Sequence, residues 1–243
     1  MDTRFWGPPA WILLHSLAYT YKPELADFYK LFFGNLKYVL PCIYCRASFT
    51  EYTEILPIDN FLNSKDDFFK WLYNIHNMVN GKLRGQGLIQ WDDPTFESIQ
   101  EKYKNMIEGI ELCKTRDQSI MGWNFLYCIA FVYPEDGSNT AQTSHYHGYI
   151  TFFNMLAKIL PLEGEYRYYY NEYIKQNSII EALKCRETLK IWVYHLEKFM
   201  DKNLNHKCKT FGEIENLIES YRAGCGGLKK DSKPTCRRIV EKK

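Results

Sequence analysis

Phe28-Tyr29-Lys30-Leu31-Phe32-Phe33-Gly34-Asn35-Leu36-Lys37-Tyr38-Val39-Leu40-Pro41-Cys42-Ile43-Tyr44-Cys45 is the stretch on which the fold turns. A Cys-x-x-Cys on the first turn of a helix brings two sulfurs within bonding reach, and the helix N-terminus stabilises a thiolate there, which is the chemistry of disulfide exchange. Pro41 suits a helix start, and Arg46 puts a positive charge beside the second sulfur. Half of a zinc site has the same spacing, but it needs a second ligand pair, and no other CxxC, CxxH or HxxxH occurs. No metal is therefore expected. A thioredoxin-like site needs a strand before the motif. Here Leu31, Phe32, Leu36, Val39 and Leu40 recur with a helical period, so the dithiol is delivered by a helix and opens another.

Working outward, the same period continues in both directions. Trp6-Gly7-Pro8-Pro9 reads as the entry to a first helix, with the prolines in its first turn and Trp11, Leu14, His15, Ala18 and Tyr19 along one face. Lys22-Pro23 ends it. After the dithiol a third helix runs to Leu56 and stops at Pro57. Ser64 with Asp67 predicts a capped fourth helix carrying Phe68, Trp71, Leu72, Ile75, Val79 and Leu83. On that helix His76 and Asn80 are an i, i+4 pair with Asn77 beside them, able either to grip a planar hydrogen-bonding ligand or to form a solvated face. Asp93-Pro94 is read as capping a shorter fifth helix with Ile99, Tyr103 and Ile107.

The chain of 243 residues can bury a large core, and its formal net charge of +2 gives no nucleic-acid footprint, although the last fifteen residues are locally basic. No apolar run is long enough for a membrane span, and Met1-Asp2-Thr3-Arg4 opens no signal-peptide core. A cytoplasmic protein is expected, and eight cysteines in a reducing compartment favour redox use over a disulfide scaffold.

In order and spacing, Trp6-Gly-Pro-Pro-Ala-Trp11 with Leu13-Leu14-His15-Ser16-Leu17-Ala18, then Pro41-Cys42-x-Tyr44-Cys45, then His76-Asn77-Met78-Val79-Asn80-Gly81-Lys82-Leu83 resemble the Erv/ALR family of FAD-linked sulfhydryl oxidases over residues 1 to 110. The resemblance implies an all-α fold, a four-helix bundle plus a short fifth helix, with FAD held between helices against the dithiol. By the same carry-over Cys42 faces substrate, Cys45 faces the flavin, and Trp11, His15, Tyr19, His76, Asn77, Asn80, Lys82 and Tyr103 bind FAD, Tyr103 standing where the family usually has tryptophan. Protein dithiols are the implied substrates, oxygen the implied acceptor and hydrogen peroxide the product. The family's structural disulfide has no candidate between Cys45 and Cys113. That departure, and the start almost at Met1, make the chain more similar to the oxidases of large cytoplasmic DNA viruses, with host cytoplasm and virion as expected locations.

A second set of apolar positions echoes the first. Trp11, His15 and Tyr21 recur as Trp123, Tyr127 and Tyr133, and Phe32, Phe33, Leu36 and Pro41 as Phe152, Phe153, Leu156 and Pro161. Trp71, Tyr73 and Leu83 recur as Trp192, Tyr194 and Leu204, and Thr95-Phe96 as Thr210-Phe211. The chemistry does not recur: Leu162 and Glu165 stand for the cysteines, and Glu197, Lys198 and Asp201 for His76, Asn77 and Asn80. The expected organisation is an oxidase domain (1–112), a linker (113–118), a degenerate repeat without FAD (119–224) and a basic tail (225–243). The repeat could supply an internal pseudo-dimer or a surface for a homodimer. His145 and His147 are expected on a surface loop. Cys225 and Cys236 are candidates for a shuttle pair, Cys113 and Cys128 for buried or linker thiols, and Cys185 and Cys208 are too far apart along a helix to pair. Competing readings are a non-enzymatic helical interaction module and a dithiol oxidoreductase with a protein electron acceptor.

Overall fold

Asp2, and not the proline pair, starts the first helix. Its carboxylate accepts from the backbone N–H of Arg4 at 2.9 Å and from the Arg4 guanidinium at 2.6 Å, and α1 then runs Thr3–Tyr19 with Pro8 and Pro9 inside it. Each proline removes one backbone bond, to the carbonyls of Arg4 and Phe5. Tertiary packing holds the turn nonetheless: Trp6 is buried and its ring lies 5.7 Å from that of Phe125.

The computed structural model describes residues 1–113, 118–137, 144–161, 164–204 and 209–222. The helices that follow α1 are α2 (Ala26–Val39), α3 (Ile43–Ile55), α4 (Lys65–Gly85), α5 (Phe96–Cys113), α6 (Trp123–Phe131), α7 (Ser144–Ile159), α8 (Glu165–Gln176), α9 (Ile179–Ala182), α10 (Arg186–Leu204) and α11 (Phe211–Ser220). Among the described residues there is no strand, only an isolated bridge between Asp136 and Cys185. No described helix is long and apolar enough to cross a membrane.

Three expectations change. The fifth helix is not short: α5 has 18 residues, because nothing between Phe96 and Cys113 breaks it except Gly109, which one helix tolerates. Its start is set by Thr95, whose hydroxyl accepts from Ser98 N–H at 3.2 Å, while Asp93 is engaged elsewhere. His145 and His147 are exposed as expected, but they lie in the first turn of α7 and not in a loop.

The two halves use their aromatic side chains alike. Trp71 Nε1 donates to the carbonyl of Leu56 at 2.9 Å and Trp192 Nε1 to that of Asn177 at 3.0 Å, each fifteen residues back. Phe33 meets Trp71 edge-on at 5.4 Å and Phe153 meets Trp192 at 5.2 Å. Tyr21 and Tyr29 pack at 4.8 Å, as do Tyr133 and Tyr149. Tyr73 meets Phe96 at 5.5 Å, and Tyr194 meets Phe211 at 5.4 Å.

Between the halves α1 packs on α6 and α2 on α7, the latter being the most extensive helix pair. Phe32 and Phe152, both fully buried, stack across it with centroids 4.9 Å apart. Gly148 lets the pair close: a Cβ there would sit 2.6 Å from Tyr38 Cβ, which cannot swing aside as a side-chain tip could. One contiguous apolar cluster consequently runs through both halves.

Candidate active site

Cys42 is the N-cap of α3. Its backbone is extended, and its Sγ accepts from the Cys45 N–H at 3.3 Å, the place a serine or aspartate oxygen takes in most capped helices. A sulfur so placed faces the positive end of the helix, which favours its thiolate. Both cysteines are half-buried, while Ile43 and Tyr44 between them are 68% and 41% exposed and give the dithiol an apolar approach.

A ring cluster forms where α1, α4 and α5 meet. Trp11 stacks on His76 with centroids 3.8 Å apart and planes 9° off parallel. His15 Nε2 shares a hydrogen bond of 3.0 Å with His76 Nδ1, and the His15 ring packs on Tyr103 at 4.9 Å. Tyr103 donates to the carbonyl of Trp11 at 3.3 Å, and Tyr19 joins the cluster through the edge of Phe69. The i, i+3 and i, i+4 spacing along α1 and α4 is what turns these residues to one junction. Lys82 reaches out of α4 to donate to Ser48 Oγ at 2.8 Å, one turn beyond Cys45, and so joins α4 to the dithiol helix α3. Asn77 is half-buried beside His76.

Sequence reasoning missed Arg84 and Asp93. Asp93 accepts from Asn80 at 2.8 Å and from both Arg84 Nη1 and Nη2, at 3.0 and 2.5 Å. Arg84 is four residues from Asn80 on one helix face, a signal that was available. Asp93 was read as a cap, and only the fold brings its loop back to α4.

The residues present fit a planar cofactor with a polar edge and phosphates. His15 Nδ1 and Ser16 Oγ are buried without a hydrogen-bond partner, which is costly unless another group supplies one. Flat ring walls stand beside His15, and Lys82 offers a cation. No group of three or more potential metal ligands occurs among the described residues.

Burial holds the His15 imidazole well below its ordinary range, with His76 and Lys102 adding to the effect. Burial likewise pushes His76 down to about 4, opposed by Asp93 and helped by Lys102. Both are neutral at pH 7, so in their shared hydrogen bond one ring donates its N–H and the other accepts. In the second half the corresponding helix pair, α6 and α10, is linked by a hydrogen bond from Tyr127 to Glu197. Burial raises Glu197 to about 7, against the opposing Tyr127 bond and with Asp201 adding to it. The two groups pull stability in opposite directions. Between about pH 4 and 6.5 the unfolded chain binds more protons at His76, so that contribution is full above 6.5 and is lost as pH falls, on the order of 2–3 kcal/mol. Between about 4.5 and 7 the folded chain binds more at Glu197, so its contribution is lost as pH rises. Glu197→Gln is accordingly expected to gain on the wild type, by about 2 kcal/mol, as pH is raised from 4.5 to 8. Urea midpoints across that range check this, and a difference independent of pH would mean that Glu197 is already ionised when folded.

Among the other cysteines, Cys128 is fully buried and its thiol is pushed up to about 12, which makes it inert. Cys185 caps α10 near Thr188, at 3.4 Å from its hydroxyl. Cys208, Cys225 and Cys236, the side chain of Cys113, and Leu162 lie outside the described residues. Glu165 is exposed at the start of α8.

The sequence model of the Erv1 / Alr family matches residues 8–104. The chain is 30% identical over 132 residues to a probable FAD-linked sulfhydryl oxidase of Acanthamoeba polyphaga mimivirus, covering 52% of this chain and 83% of that protein. It is 31% identical over 114 residues to the FAD-linked sulfhydryl oxidase of African swine fever virus, covering 45% of this chain and 90% of that protein. The mitochondrial FAD-linked sulfhydryl oxidase of Saccharomyces cerevisiae is 32% identical over 88 residues, 34% of this chain and 45% of that protein. No solved structure matches.

Proposed function

The chain belongs to the Erv1/Alr family, and from that membership we infer that it is an FAD-linked sulfhydryl oxidase whose redox pair is Cys42 and Cys45. The observation that carries the assignment of residues is Cys42 Sγ at the N-cap of α3, bonded to the N–H of Cys45. A substrate thiolate attacks Cys42 Sγ of the oxidised pair, forming a mixed disulfide and releasing Cys45 as the thiolate. A second substrate thiolate then attacks the substrate sulfur, so the substrate leaves oxidised and the pair is left reduced. Bound FAD supplies the two-electron chemistry that returns the pair to the disulfide and passes the electrons to oxygen, giving hydrogen peroxide. The protein's part would be to hold the cofactor against the ring cluster of Trp11, His15, His76 and Tyr103, with Tyr19 behind them. Asn77 and Asn80 offer amides, and Lys82 offers charge to the phosphates.

Within this reading residues 1–112 form the oxidase domain, 113–118 a linker, and 119–224 a degenerate repeat that binds no FAD. The matched aromatic pairs support the repeat, as do Tyr127 and Glu197 bonding where His15 and His76 do. A carboxylate beside a reduced, electron-rich flavin is unfavourable. The pairing of α1 with α6 and α2 with α7 supports an internal pseudo-dimer, in which the second half covers the face a second copy would otherwise take. Substrates are dithiols of proteins, and the viral relatives favour virion proteins in a host cytoplasm. The basic tail, 225–243, carries the candidate shuttle pair Cys225 and Cys236.

The visible spectrum of the purified protein tests the activity. A flavin band bleached by dithiothreitol under nitrogen and restored by air is expected, and a colourless protein that takes up no added FAD would overturn it. Light scattering and flavin content test the second half: a monomer holding one FAD per chain is expected, and two FAD per chain or a stable dimer would refute the pseudo-dimer.

A further inference from the structure

We propose that Asp93 is a positioning residue for the cofactor: its carboxylate takes the amide N–H of Asn80, so that Asn80 offers its carbonyl oxygen, an acceptor, to a donor edge of the bound flavin nucleotide. The inference rests on α1, α4 and α5 forming the FAD site. Helix geometry places Asn80 there. His76, Asn80 and Arg84 follow one another at intervals of four along one face of α4, with Cβ atoms of neighbours about 6 Å apart, and His76 lies under the Trp11 ring at 3.8 Å. Asn80 is half-buried, and its Nδ2 donates to Asp93 Oδ1 at 2.8 Å. A carboxamide has a donor end and an acceptor end; with the first taken, the acceptor is the end left for a ligand.

The orientation is fixed because Asp93 can only accept. Arg84 grips both of its oxygens, at 3.0 and 2.5 Å, and this pairing, helped by the Asn80 bond and opposed by burial, holds the acid below its ordinary range. An ionised carboxylate has no proton to give, so Asn80 cannot turn its oxygen towards it without setting lone pairs against lone pairs. Asp93 is in turn held by contacts that do not involve Asn80. Gly87, in the left-handed region with φ 67°, reverses the chain after α4, and the Leu88 N–H returns to the Leu83 carbonyl at 2.9 Å. Beyond that turn, Arg84 Nη1 donates to the Trp91 carbonyl at 3.3 Å and the Tyr73 hydroxyl to the Pro94 carbonyl at 2.9 Å. Asp93 is thus bracketed on both sides by anchors from α4. A group that orients another needs its own place fixed in this way.

The same contacts tie the loop after α4 back onto that helix, so a strap that only stabilises the fold is the alternative. The two differ in whether Asp93 acts through Asn80, and a double-mutant cycle on FAD affinity separates them. The dissociation constant of FAD is measured by equilibrium dialysis against the full-length chain stripped of flavin, for wild type, Asp93→Asn, Asn80→Ala and the double variant. Asp93→Asn keeps the shape of the side chain but lets Asn80 turn its amino end to the cofactor's donor, and is expected to weaken binding on the order of tenfold. Asn80→Ala loses a similar factor. Adding Asp93→Asn to Asn80→Ala costs nothing further, because the group it orients is gone. Asp93→Ala, run through the same cycle, gives the same pattern. Wild-type affinity in Asp93→Asn overturns the proposal. So does an equal loss in both backgrounds, which would leave Asp93 as a strap alone. A wild type that takes up no FAD would sink the oxidase reading together with this one, whereas a wild type that binds FAD beside an unaffected Asp93→Asn sinks only this one.

Discussion

A Cys45→Ser variant loses thiol oxidation by on the order of a thousandfold or more while remaining yellow. The loss follows from covalency: serine cannot form the bond that a substrate thiolate must break, and a lone Cys42 can at most be trapped as a mixed disulfide. Flavin retention follows from the layout. The rings that fit the cofactor stand on α1, α4 and α5, and Cys45 lies on α3, joined to them through the Lys82 to Ser48 bond. The change from sulfur to oxygen at a half-buried site leaves that bond in place. Cys42→Ser is the informative companion. Serine is a better N-cap than cysteine, so this variant should fold at least as stably although it too turns over no protein dithiol. Oxygen uptake with a reduced protein substrate, recorded with the visible flavin spectrum of the same sample, decides the matter. Turnover near wild type in Cys45→Ser would place the redox pair elsewhere.

How much of this was legible in the sequence depends on how far apart the interacting residues are. The helical period before Pro41, the dithiol at the start of a helix and the shared face of His76 and Asn80 are local, and all three appear in the fold, with Cys42 one step earlier, at the N-cap. Trp11, His15 and Tyr103 were expected at a cofactor through family resemblance, and the structure brings them to one cluster with His76. The start of α1 was misplaced because proline is a strong local signal, whereas the packing of Trp6 on Phe125 that stabilises an earlier start joins residues far apart in the chain. Asp93 looked like a cap because it precedes a proline; its bonds to Asn80 and Arg84 exist only once the loop folds back. The stacking of Phe32 on Phe152 was hidden for a similar reason. The two residues echo one another in the sequence, but matching positions in two halves do not say that the halves meet there.

That seam gives the second large effect. Phe152→Ala removes a fully buried ring that contacts Phe32 across the halves and Phe125 and Phe153 within its own, and such truncations cost about 3–5 kcal/mol. Against a total of roughly 5–15 kcal/mol the urea midpoint should fall by a large fraction. What it does to the flavin is the sharper question. Because one apolar cluster runs through both halves, loss of helix and release of FAD should form a single transition in the wild type and move down together in Phe152→Ala, although Phe152 lies in the half that holds no dithiol. Circular dichroism and flavin fluorescence on the same urea series follow the two events. Ile180→Ala, at a residue 52% exposed in that half, is the control and should shift neither. If the helix signal splits into two steps and flavin release keeps its wild-type midpoint, the halves fold separately and the second is only a tethered neighbour. Coincident shifts would mean instead that the second half is part of the structure that holds the flavin site, which gives a half without the dithiol a physical reason to stay packed on the first.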